Sequence, residues 1–308
     1  MKWMSLCVLL CVSLLLPAVG ASASARKGGL ELFAAPPETP PFTPGRVVLS
    51  APEIDALILP RSGAPLHFPS IDRFVGTESA PLQFRQVALF ADGARIMEVD
   101  GGVAREMPRP ARHYYLAGNR SAGIGLAVDP VTGVVSGFAS KGGERLAIAG
   151  DFVSGLQFEA IAEADEGANS CGNGEHDLSL GAPVVETGSL ALSASASAAG
   201  ETISYQAVVA IDTDSEWLDG FGDDTAEALD WITDLFLAMN VFYERDLETR
   251  LLIGHVSLRP GSDPYSPNPD TFAKLNEFGE YWMDNMGHVE RQFATMFSGR
   301  NISSGWFS

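Results

Sequence analysis

Cysteine is nearly missing from this chain: three in 308 residues, two of them, Cys7 and Cys11, within the first eleven. A small fold held by several disulfides is therefore excluded. Basic side chains are also scarce, 20 Lys and Arg against 39 Asp and Glu, for a formal net charge of −19. Nucleic acid is not an expected partner, because phosphate neutralisation needs clustered Lys and Arg. The five histidines, His67, His113, His176, His255 and His288, are scattered. No two stand four apart, as the helix of a zinc protease requires. A Gly-x-Ser-x-Gly elbow is also lacking, so a serine hydrolase of that kind has no nucleophile. The only long apolar run opens the chain; it is too short, and wrongly flanked, for a stable membrane span.

That opening run carries the first positive signal. Residues 1–25, "MKWMSLCVLLCVSLLLPAVGASASA", have an early Lys, an apolar centre and a small-residue end, the layout of a cleavable secretory signal. The expected location is secreted or extracytoplasmic, with no membrane partner after cleavage. Cys171 is then the one remaining thiol, set in "NSCGNGEHD". An odd cysteine in an exported protein implies an intermolecular disulfide, a reactive thiol or a small buried hydrophobe. Glu175, His176 and Asp177 read as its solvated neighbours rather than as co-ligands.

Acidity divides the remainder: residues 201–308 hold 19 of the 39 acidic and only 6 of the 20 basic side chains. Two units follow, 26–200 and 201–308. The first begins with a Pro- and Gly-rich arm to about Gly45. It continues in short β-type runs, "RVVLS", "DALILP", "QVALFADGARIMEVDGG", "HYYLAG", "GIGLAVDPVTGVVSGFAS" and "RLAIAG", with "ADGA" and "DPVTG" as expected hairpin turns. "GIGLAV" starts like a dinucleotide fingerprint but lacks the third Gly, and is expected to be a turn. "GSLALSASASAAG" reads as a linker or, alternatively, a single edge strand.

The second unit changes period. "ISYQAVVAID" is a strand, and "DDTAEALDWITDLFLAMNVFYERD" places Leu229, Ile232, Phe236, Met239 and Tyr243 at helical spacing after an Asp224–Glu227 cap. "TRLLIGHVSLRP" is a strand again. Asp270 is an expected N-cap for a helix with Phe272, Leu275, Phe278 and Trp282 on one side, closed by Gly287, before "FATMFSG" as a third strand. The unit is thus expected to be a βαβαβ layer with a parallel crossover. "DTDSEWLDGFGD" has acids where a calcium loop needs them, but Trp217 stands where its Gly should, so a solvated loop is expected. His255 is expected in a strand and His288 in a loop or cap, neither as a ligand.

"VVAIDTDSEW", "MNVFYERDLETRLLIGHV", "LNEFGEYW" and "FSGRNISSGW", in this order, resemble the start of the catalytic domain of reprolysin-type (adamalysin-type) zinc metallopeptidases of the metzincin clan, above all secreted bacterial members. The resemblance covers about Ser204 to Trp306. Upstream, "RHYYLAGNRSAGIGLAVDPVTGVVSGFASKGGERLAIAG" is similar to the β-rich propeptide of that family, which folds against the peptidase domain and silences it. It implies an α+β chain: a β-rich propeptide-like half, then an incomplete α/β (βαβαβ) metzincin-like layer. It also implies that Gly305 and Trp306 begin the edge strand that holds a polypeptide substrate. Cys171 would be a cysteine-switch ligand, its thiolate the fourth ligand of a zinc that this chain does not itself bind.

The family's His-Glu-x-x-His-x-x-Gly-x-x-His helix does not occur in these 308 residues. Zinc belongs to the complete family member, no cofactor is expected for this chain alone, and the sequence reads as a truncated or frame-shifted metalloendopeptidase without activity. The alternative is a non-catalytic secreted binding or inhibitor protein that associates with a homologous protease.

Overall fold

A computed structural model describes residues 45–59, 64–75, 81–119, 122–161, 203–266 and 271–299. Its architecture is mixed α/β and rich in strands. The expected leader, N-terminal arm, Cys171 region, linker, Asp270, and the Gly305–Trp306 edge strand lie outside the described residues, as does the side chain of Phe272.

The N-terminal half builds a seven-stranded sheet, antiparallel throughout, in the order β1 (Gly45–Val47), β9 (Gly155–Ala160), β8 (Glu144–Asp151), β7 (Val134–Lys141), β6 (Ala122–Val128), β5 (His113–Gly118) and β2 (Arg85–Val87). "DPVTG" is the turn between β6 and β7, as expected, with Gly133 at φ 74. Two short helices, α1 (Ala51–Ile58) and α2 (Pro69–Val75), bring Leu57, Ile71 and Val75 against Tyr115, Ile124 and Leu126 of the sheet.

The expectation of strand at "DALILP" is therefore corrected: Asp55–Ile58 lie in α1, with Leu59 as its C-cap. Ser50 and Glu53 form a capping box there, and Pro52 suits the first turn. Glu53 is buried. Desolvation works to raise its pKa, but hydrogen bonds from Ser50 and Ser70 together outweigh it and hold the carboxyl below its ordinary range.

The C-terminal half forms β10 (Tyr205–Thr213), α3 (Ser215–Asp219), α4 (Thr225–Leu247), β11 (Thr249–Leu258), α5 (Thr271–Asn285) and β12 (Phe293–Phe297). β10 pairs in parallel with β11 on one side and with β12 on the other. Two strands from the first half continue this sheet: β3 (Phe90–Asp100) pairs in parallel with β11, and β4 (Val103–Met107) pairs antiparallel with β3. The five-stranded order is β12-β10-β11-β3-β4. The β3–β4 turn is Gly101-Gly102, both at positive φ, as a two-residue hairpin turn requires.

"ADGA" is not a turn. It lies within β3, where the register slips between the pairs Ile253–Phe90 and His255–Arg95. Gly93, at φ 71, supports that irregularity, and Gly254 is the residue on β11 where the register shifts. A side chain at Gly254 would run into Val208. The slip lets Leu251 and Ile253, then Val256 and Leu258, all join one apolar core despite the two-residue period of a strand.

α4 lies between the two sheets. Asp224 caps it by accepting from the backbone N–H of Ala226 and Glu227, as the sequence suggested. Leu229, Ile232, Phe236, Leu237 and Val241 are buried against Val209, Ile211 and Ile253 of one sheet and Tyr114, Leu116 and Ala127 of the other. Each such side chain contributes about 1.5–3 kcal/mol on burial. "GIGLAV" is corrected here too: it is β6, wholly buried, and its glycines admit the helix. A Cβ on Gly123 would stand 2.5 Å from Val241 Cγ1, and one on Gly125 would stand 2.8 Å from Leu237 Cγ. Asn240 holds the helix to β11, donating to Leu251 O at 3.0 Å and accepting from Leu251 N at 2.7 Å.

Candidate functional site

The polar groups that could act together gather on the other face of the five-stranded sheet, beneath α5. Strand alternation sets them there. Val209 and Ile211 of β10 face α4, so Ala210 and Asp212 face α5; on β11, His255 and Ser257 do the same, with Arg259 following them.

Asp212 is fully buried. It accepts from Arg259 Nε at 2.7 Å and Nη2 at 3.0 Å, Tyr265 Oη at 2.7 Å, Trp282 Nε1 at 3.0 Å and the Thr213 backbone N–H at 3.0 Å. Five donors fill the roughly four lone-pair positions of a carboxylate, leaving it no capacity for a metal or substrate. Burial works to lower the Arg259 pKa, but the bond and charge of Asp212 overcome it and raise the guanidinium pKa. Burial, then the Asp212 charge, push the Tyr265 hydroxyl far up, so that it stays a donor.

Two residues on, Asp214 is also fully buried and ties three elements together. Its Oδ1 accepts from the backbone N–H of Trp217 and of Gly299, each at 2.9 Å, capping α3 and fixing the chain after β12. Its Oδ2 meets Lys274 Nζ of α5 at 3.2 Å and the Ser298 hydroxyl. Asp263 accepts from Ser215 N and Oγ, both at 2.8 Å, and from Tyr265 N at 2.8 Å.

The expected solvated loop at "DTDS" is therefore overturned: its first two acids are interior and matched by cations. The same finding corrects the helix face. Leu275 is exposed and Lys274 is buried, because Asp214 needs a counter-charge that a leucine cannot supply.

His255 lies in a strand and His288 in a turn, as expected. His255 Nε2 is 2.9 Å from Ser257 Oγ, and its ring meets Trp282 edge-on at 6.1 Å between centroids. Burial, then the charges of Arg95, His288, Arg259 and Arg291, lower its pKa to about 4, so it is neutral at pH 7.

Zinc does not fit the described residues. Among them no three His, Cys, Asp or Glu side chains converge as a metal would need, and the cations around His255 would repel one. Cys171, Glu175, His176, Asp177, Gly305 and Trp306 lie outside the described residues, so the structure neither gathers nor separates them.

A second polar constellation binds the two halves of the chain across α4. Arg112, just before β5, pairs with Asp234 at 3.1 Å and Asp230 at 3.5 Å, while Ser136 of β7 also donates to Asp234. Near the far end of the helix, Glu244 accepts from Arg85 of β2 at 2.7 Å and from Arg250 of β11 at 2.5 Å.

The site residues absent from the sequence reading were Asp212, Asp214, Arg259 and Lys274. One signal was available: two acids in i, i+2 alternation at the end of an apolar strand lie on one face, and a buried acid demands a cation. Which cation answers was not readable. The chain matches no protein-family model and no curated protein.

Proposed function

We propose that the chain is the propeptide and front layer of a secreted zinc metalloendopeptidase of the reprolysin type, and that these 308 residues do not themselves hydrolyse peptides. The observation that supports this reading is the grip of the N-terminal half on the C-terminal one. The seven-stranded sheet covers the side of α4 that the five-stranded sheet leaves open. β3 and β4 extend the C-terminal sheet, and Arg85 and Arg112 hold α4 by its acids. In this reading the N-terminal half, through the apolar side chains it shares with α4, acts as a folding clamp, the part a propeptide plays.

Chemistry in the complete enzyme would be zinc-assisted attack of water on a peptide carbonyl. In this reading Cys171 would be the thiolate ligand of that zinc in the uncleaved chain, and Gly305 and Trp306 would open the strand that holds the polypeptide substrate. The described residues contribute scaffold: the Asp212–Arg259 and Asp214–Lys274 pairs fix the carboxyl ends of β10 and β11 and the start of α5.

Reading the nucleotide sequence beyond the Ser308 codon tests the origin. A His-Glu-x-x-His in any frame is the expected result; an unrelated gene directly after the codon overturns it and leaves a secreted binding or inhibitor protein. Purified chain is expected to leave casein intact. Cleavage abolished by a chelator and restored by zinc would show that the chain is itself a peptidase.

A further inference from the structure

Among the described residues four strands have a neighbour on one side only: β1 and β2 in the seven-stranded sheet, β4 and β12 in the five-stranded one. An open strand edge offers unpaired N–H and C=O groups to any other chain, and proteins blunt such edges by shortness, charge or proline. Three of the four are blunted. β1 and β2 are 3 residues each, and β4, "VAREM", carries Arg105 and Glu106 and runs into Pro108. β12, "FATMF", has 5 residues and none of these devices. From Gln292 to Ser298 the chain holds no charge, although residues 201–308 contain 19 of the 39 acids. Glu290 and Arg291 come just before, with opposite signs.

The backbone of this edge is free to pair. Gln292 N donates to Val208 O at 2.9 Å, and strand alternation then turns the backbone groups of Phe293 and Thr295 away from β10, to the open side. The alternation ends at Phe297, whose carbonyl accepts from Asp214 N at 3.1 Å. Phe293 is 39% exposed, and Ala294, Thr295 and Met296 are half-buried. Phe297 is buried, its ring 5.5 Å from that of Trp217 and 5.8 Å from that of Trp231 between centroids.

We propose that β12 pairs antiparallel with β12 of a second copy of this chain, about a twofold axis at Thr295, so that two five-stranded sheets become one. The strand is nearly its own mirror, which is what points to a copy rather than to another polypeptide. About Thr295, Phe293 of one copy stands opposite Phe297 of the other, Ala294 opposite Met296, Thr295 opposite Thr295 and Gln292 opposite Ser298. Aromatic pairs and threonine pairs are favourable cross-strand neighbours, and no like charges meet. A twofold axis makes each contact occur twice and closes the assembly at two copies. The contact is small for a specific interface, so the dimer is a weak one, with a Kd of about 1–100 µM. Two chains of net charge −19 repel one another, so added salt strengthens it. The pairing is independent of the peptidase reading, which the sequence beyond Ser308 tests separately.

Sedimentation equilibrium of the full chain, at concentrations from about 1 to about 300 µM that bracket this Kd, provides the test. A reductant is kept present so that Cys171 cannot link copies. A reversible monomer–dimer equilibrium is expected, and hydrogen exchange at the Phe293 and Thr295 amides should slow as concentration rises. Raising sodium chloride from about 0.05 to about 0.5 M should tighten the dimer roughly threefold. Phe293→Lys, at an exposed position, and Thr295→Lys, which sets two ammonium groups at the axis, should each weaken it roughly tenfold or more. Ala104→Lys on the opposite edge of the sheet should leave it unchanged. A monomer at every concentration overturns the proposal, as does an open-ended series of larger assemblies. Amides of Phe293 and Thr295 protected equally at all concentrations overturn it too, since a segment of the same chain or another molecule then covers the edge. Undiminished association in Phe293→Lys has the same force and decides the matter should Thr295→Lys fail to fold.

Discussion

The two faces of the five-stranded sheet are covered by helices held in different ways. On one face α4 packs through Leu229, Ile232, Phe236, Leu237 and Val241, with glycines on β6 letting it approach the second sheet. On the other face α5 buries Phe278 and Trp282 in a small cluster with Ala210 and Tyr265, against which Tyr281 also packs, and its hold depends on Lys274, the Tyr281 hydroxyl and the Trp282 indole N–H reaching buried aspartates and Arg259. The first helix is attached by area, which is tolerant of direction. The second is attached by matched charges and hydrogen bonds, which are not: removing one partner strands the other in a dry interior.

Breaking one member of each attachment should give the largest effects. Phe236→Ala leaves a cavity between the sheets and should cost about 3–5 kcal/mol in urea unfolding. Asp212→Ala strands Arg259 and should cost a similar 3–5 kcal/mol. The two differ in repair. Replacing Arg259 by Met in the Asp212→Ala background should recover stability, whereas no second charge change should rescue Phe236→Ala. A double variant no better than Asp212→Ala would mean that α5 too is held chiefly by area.

Acid should act on the α5 face first. The folded pKa of His255, about 4, lies below its ordinary 6.5, so the fold favours the neutral ring. That contribution is complete above pH 6.5 and is lost as pH falls through 4, by up to about 3 kcal/mol. The gap in unfolding free energy between the parent and His255→Gln should therefore narrow between pH 7 and pH 4. A constant gap would remove His255 from the account.

Smaller again is the cap of α1. Glu53→Ala removes a carboxylate that accepts from Ser50 and Ser70 and should cost about 1–2 kcal/mol by thermal unfolding, with near-ultraviolet circular dichroism of the core unchanged. The smallest effect belongs to the exposed Arg95–Glu106 pair, where Arg95→Gln should change stability by less than about 1 kcal/mol.

Legibility followed the same division. α4 could be read from its period and from Asp224 because a helix buried along much of its length repeats apolar residues whatever lies opposite. α5 was legible as a helix, but its inward face was misjudged at Leu275, since the pattern ranks leucine above lysine until a buried acid is known. The Asp55–Pro60 run was misread because six apolar-rich residues suit either period; the Ser50–Glu53 pair just before it was the signal that separates the two. "ADGA" and "GIGLAV" failed for one reason: glycine marks a turn, a bulge or a close approach equally, and only the partner across the gap says which.

By itself, then, the sequence determined the local elements: the strand runs that became β5, β7 and β8, the cap and length of α4, and the alternation that sends Val209 and Ile211 one way and Ala210 and Asp212 the other. These depend on neighbours within a few residues. The tertiary structure alone decided where β3 and β4 pair, how near α4 comes to Gly123 and Gly125, and which cations answer Asp212 and Asp214. Those choices join residues such as Arg85 and Glu244, 159 positions apart, through contacts whose energy depends on burial, and burial exists only once the layers have closed.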